Sequence, residues 1–88
     1  QLANQTLELI PDHPDALSTR GEVYVALEKW NEAVADLTAS LKLRPTNPIV
    51  HRLLEKAYAG LNDTSMAQEH ATRAKALEDA LGQTGGSE

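Results

Sequence analysis

Eighty-eight residues with 13 acidic and 8 basic side chains, a net charge of -5 and no cysteine leave room for one domain with a modest core. They exclude disulfides, thiolate chemistry and a cysteine-bearing zinc site, and the negative charge opposes nonspecific attraction to nucleic-acid phosphates or anionic lipid. No apolar run is long enough to span a bilayer, and no basic-then-apolar leader opens the chain. A start at Gln1 is expected of a piece cut from a longer protein, which leaves the compartment and any leader open.

Leucine and alanine dominate, phenylalanine is absent, and the aromatics are Tyr24, Tyr58 and Trp30, a composition that favours an all-α fold. The segment Pro11-Asp12-His13-Pro14 returns as Pro45-Thr46-Asn47-Pro48, 34 residues on, and self-similarity at a fixed period signals a repeat architecture. The same offset maps Leu7 to Leu41, Leu9 to Leu43, Ala16 to Val50, Tyr24 to Tyr58, Leu27 to Leu61, Ala33 to Ala67 and Leu43 to Leu77.

In chain order, residues 1–10 match only the second helix of a unit whose first helix is missing. Pro14 suits a first helical turn, and Leu17, Gly21, Tyr24 and Leu27 recur three and four residues apart, which predicts an apolar stripe. A turn at Glu28 and Lys29 leads to a helix from about Asn31 to Leu43, with Ala33, Val34, Leu37 and Leu41 inward and Pro45 as its stop. Asn47 is placed to cap the next helix from Pro48. Gly60 and Asn62 mark its turn, and Asp63 or Thr64 caps the last helix. That helix runs through Arg73, Leu77 and Ala80 to Leu81; Gly82 is expected to end it, leaving 82–88 as a disordered tail. Such short turns imply antiparallel neighbours.

This pattern resembles the tetratricopeptide repeat, a helix-turn-helix unit of the same length. In residues 14–47, Leu17 stands at the bulky opening position, Gly21 at the close helix crossing, Tyr24 at the aromatic after it, then Ala33, Leu37, Ser40 and Pro45. Residues 48–81 keep Leu54, Tyr58, Ala67, Ala74 and the turn Gly60-Leu61-Asn62. The resemblance implies antiparallel helix-turn-helix repeats in a right-handed α-solenoid: half a repeat, two full repeats and an extended capping helix, over residues 1–81. Departures from the family pattern are Arg20 in place of leucine, Glu55 in place of the small crossing residue, His51 in place of a bulky apolar one, Glu28 at the turn glycine and Asp79 at the closing proline. At positive φ, a non-glycine residue such as Glu28 costs about 1 kcal/mol.

The family's first helices line a concave groove that binds extended or helical peptides. By that resemblance and helical phase, the groove here holds Asp15, Ser18, Thr19, Glu22, Val25 and Ala26 from the first unit, and Ile49, Arg52, Leu53, Lys56 and Ala59 from the second. Arg52 and Lys56, four residues apart, point the same way and suit a ligand carboxylate; the alternative is that Glu22, the offset counterpart of Lys56, neutralises them as an exposed pair. Some relatives grip acidic chaperone tails with lysine and asparagine where this chain has Ser18 and Glu22, so that clamp is not expected.

His13, His51 and His70 lack the i, i+4 pairing and the cysteine partners of a closed metal site, and are read as surface or capping residues. No metal and no cofactor is expected. Trp30 is read as packing on its own turn, and Arg20 as an arginine whose stem covers apolar surface while its head stays wet. No carboxylate pair, phosphate loop or nucleophile-base arrangement carries catalysis. The leading function is a module that binds a peptide or partner protein; the rival is a structural or self-associating segment that pairs through the N-terminal helix with Leu2, Leu7 and Leu9.

Overall fold

The computed structural model describes residues 13–86; the expected N-terminal half repeat, and any self-pairing through it, lie outside these residues. Among them are four helices and no strand: α1 Pro14–Ala26, α2 Trp30–Leu43, α3 Pro48–Gly60 and α4 Thr64–Gly86. The all-α, helix-turn-helix repeat reading therefore holds.

Each start has a visible cause. His13 Nδ1 accepts from the Ala16 N–H at 3.0 Å, with Pro14 following where a missing donor costs nothing. Asn47 Oδ1 accepts from the Ile49 N–H at 3.0 Å ahead of Pro48. Asp63 Oδ1 accepts from the Met66 N–H at 3.1 Å and opens α4.

The two hairpin turns are built alike. After α1, the Lys29 N–H reaches the Tyr24 carbonyl at 2.8 Å and the Glu28 N–H reaches Val25 at 3.0 Å, with Glu28 at φ 58°. After α3, the Asp63 N–H reaches Tyr58 at 2.9 Å and the Asn62 N–H reaches Ala59 at 3.0 Å, with Asn62 at φ 61°. This is the Schellman closure, a left-handed residue that lets the last carbonyls find donors. Glycine is the usual occupant; here Glu28 bears the Cβ penalty in full, while Asn62 tolerates the conformation better.

Helices pack most closely within a hairpin, α1 on α2 and α3 on α4; α2 then packs on α3, and α1 touches α3 more lightly. α2 and α4 do not meet. The main core joins the hairpins: Ala33 and Leu37 of α2 interlock with Val50, Leu54 and Ala57 of α3, flanked by Tyr24, Trp30, Val34, Leu41 and Leu53. Leu27 falls outside its expected stripe and is 59% exposed, because the chain has already turned away at the cap. Two glycines permit close approach. A Cβ on Gly21 would sit 2.6 Å from Leu37 Cδ2, and one on Gly60 would fall inside the Trp30 ring. Gly60 is thus required by the indole and not by its backbone angle. Trp30 correspondingly packs against the next hairpin, not simply on its own turn.

The helix does not stop at Gly82 as expected. It continues to Gly86, since no glycine here adopts positive φ and the position of the closing proline is Asp79, whose carboxylate receives Lys75 Nζ at 3.3 Å. Of the expected tail, Ser87 and Glu88 lie outside the described residues.

Candidate binding surface

The predicted groove residues fall on α1 and α3, which touch. Asp15, Thr19, Glu22 and Ala26 on α1, and Ile49, Lys56 and Ala59 on α3, are exposed. Ser18 and Arg52 are half-buried, and Val25 and Leu53 pack partly on the core. Ile49, 68% exposed, is a large apolar side chain held in water.

Several of these side chains are already engaged. Ser18 Oγ and Thr19 Oγ1 donate back to the Asp15 carbonyl at 3.0 and 2.9 Å, bonds that hold both hydroxyls against their own helix. The Asp15 carboxylate pairs with Arg44 at 2.8 Å. Arg52 forks onto Glu78, Nε to Oε2 at 2.9 Å and Nη2 to Oε1 at 2.8 Å, and sends Nη1 to Glu55 at 3.0 Å. Glu22 is therefore not its neutralising partner; the acids are Glu78 and Glu55. Hydrogen bonding to Glu78 and then Glu55 raises the Arg52 pKa, and hydrogen bonding to Arg52 lowers that of Glu78. Among the predicted positions, Glu22 and Lys56 are the charges for which no ion pair is found among the described residues.

Arg20 departs from its expected role. Its guanidinium turns inward and binds Asp36 with two prongs, Nε to Oδ2 at 2.6 Å and Nη2 to Oδ1 at 2.9 Å, with its charge 5.9 Å above the Tyr24 ring. Asp36 is buried, so the pair is desolvated on the acid's side. The same slot 34 residues on is His70, which meets the buried His51: their Nδ1 atoms are 2.9 Å apart. Surface placement therefore fails for His51; burial comes from the bulky apolar slot it occupies. Each hairpin thus carries one polar pair across its inner seam. The sequence signal was an acid at the inward phase of α2, with Ala33, Leu37 and Ser40, opposite an arginine at the inward phase of α1.

Between α2 and α4, over α3, opens a cleft of about 380 Å³ whose walls include Leu41, Lys42, His51, Tyr58, His70 and Arg73. No three histidine, aspartate or glutamate side chains gather around a common point among the described residues, and none of their helices is long and apolar enough to cross a membrane.

Successive α-helical hairpins at a 34-residue offset, closed by matching left-handed caps, define a helical-repeat protein. Residues 21–62 match the family model described as TPR repeat, a span from the α1 crossing glycine to the second left-handed cap. Over that stretch the chain is a tetratricopeptide repeat protein, of a family whose repeats mediate protein–protein interaction. No solved structure matches the chain.

Proposed function

We propose that the adjoining outer faces of α1 and α3 form one groove that binds a segment of a partner protein without turnover. The observation that carries this reading is the pairing of an exposed Ile49 with Lys56, a cation with no ion pair among the described residues, on a helix that packs beside α1. Burying an aliphatic side chain supplies affinity, and a charge not already committed supplies register. Arg52 contributes less than its type suggests, since a ligand carboxylate must displace Glu78 and Glu55. Lys56 and Glu22 select a segment that places an acid near α3 and a base near α1.

The test is an immobilised peptide library probed with the native chain, Ile49→Asp and Lys56→Glu, with Lys75→Glu on α4 as the control for charge alone. Peptides retained by the native chain and by Lys75→Glu, and weakened tenfold or more by both groove variants, support the groove. Equal retention by all four proteins rejects it.

A further inference from the structure

The second hairpin is closed on its inner side by two imidazoles in hydrogen-bond contact. His51 Nδ1 and His70 Nδ1 lie 2.9 Å apart while the ring centroids lie 5.1 Å apart. The centroids exceed the nitrogen separation by one ring radius on each side, so the rings stand end to end with Nδ1 facing Nδ1. Two ligands of a common ion would instead converge on a point off that line. An N–H···N bond requires one protonated and one bare nitrogen. One imidazole therefore donates at Nδ1 and the other accepts there. The His70 ring is held in place by stacking on Tyr58, centroids 5.6 Å apart and planes 6° from parallel.

We propose that the His51–His70 pair is a pH-operated latch between α3 and α4, closed while one imidazole is neutral and forced apart when both are protonated, which releases α4 from the hairpin. The first proton enters at the bare Nε2 of the donating ring and leaves the N–H···N bond intact. The second has only the accepting Nδ1 to occupy, which sets N–H against N–H and two charges side by side.

The surroundings relieve that repulsion only in part. α2 faces the cleft with Lys42, α3 with the neutral Tyr58, and α4 with Glu69 and Arg73, which pair with each other at 3.1 Å. Burial lowers the pKa of both histidines, and the Arg73 charge adds to this at each; the Pro45 carbonyl opposes it at His51, while at His70 the charge of His51 adds to it and Glu69 opposes it. Groups that the fold keeps neutral bind fewer protons than in the unfolded chain. Stability is therefore complete above the ordinary histidine value of 6.5 and is lost as pH falls from there toward the lowered folded values. α4 is the element to yield, since Ala74 is its one fully buried side chain among those described.

Urea unfolding followed by circular dichroism, together with amide hydrogen exchange, between pH 7.5 and 5.0 tests the latch in the whole chain. The folding equilibrium constant is expected to fall at least about tenfold across this window, with a ceiling near 100-fold per pH unit if only the unfolded chain takes up both protons. Protection in α4 is lost before protection in α1 and α2. His51→Leu places in α3 the residue that α1 carries at the same offset, Leu17, and His70→Phe keeps the stack on Tyr58. Each variant is expected to flatten the pH dependence, and the slope reports on the latch even if absolute stability drops. A slope that survives in both variants, or uniform loss of protection along the chain, overturns the proposal.

Discussion

Replacing Arg20 by leucine, the residue the repeat pattern favours there, deletes both hydrogen bonds to Asp36 while keeping an apolar side chain in the slot. Asp36 is 7% exposed, so its carboxylate is left in the hairpin seam without its counterion. Breaking one side of a buried pair costs about 3–5 kcal/mol. The arginine side chain is 29% exposed, and solvent screening brings the expected loss to about 2–3 kcal/mol. For a chain of this size each kcal/mol shifts the midpoint by about 4–8 °C, so a melt at neutral pH should fall by roughly 10–20 °C. Arg20→Lys keeps the charge, loses the fork and should lie between the two. The double variant Arg20→Leu/Asp36→Leu removes the stranded charge and should return to within about 1 kcal/mol of the native chain, or exceed it. Thermal and urea melts of the native chain, Arg20→Leu, Asp36→Leu and the double variant close a double-mutant cycle. A single variant that melts with the native chain, or a double variant no better than the single, would refute the reasoning.

Glu28→Gly removes a Cβ from a residue at φ 58° and should stabilise by about 0.5–1 kcal/mol in urea melts; Asn62→Gly should gain less, because asparagine tolerates the left-handed region. Gly60→Ala drives a methyl into the Trp30 ring and should cost about 1–3 kcal/mol, with a shifted indole emission that Gly82→Ala, where a Cβ meets nothing within 4 Å, does not produce. Arg52→Gln breaks an exposed pair, so its melt should stay close to that of the native chain and the remaining difference should vanish at high salt.

Helices, turns and their order were legible because they rest on local signals repeated 34 residues apart: Pro14 and Pro48, Glu28 and Asn62, Pro45 as a stop. What escaped depends on side chains meeting across a hairpin. Arg20 alone reads as a snorkelling arginine, and only its register with Asp36 turns it inward. His51 and His70 are 19 residues apart and share no spacing rule, so their contact follows from the crossing of α3 and α4 and not from any motif. Arg52 illustrates the same limit from the other direction: helical phase put it on the groove side, yet its reach lets Glu78 of α4 claim it. Gly21 at a close crossing was readable, with Leu37 opposite. Thirty-four residues on, the positions hold Glu55 and Ala71, a large residue on the first helix matched by a small one on the second, so one volume rule covers both hairpins.

Trp30 is the sole tryptophan in the chain, and it rests on Gly60 at the far end of the neighbouring hairpin. Its fluorescence therefore gauges the docking of one unit onto the next, while far-ultraviolet dichroism gauges helix content in either. Read together along a denaturant series, the two signals separate the intrinsic stability of a unit from the coupling between units, the two parameters a one-dimensional description of repeat folding needs.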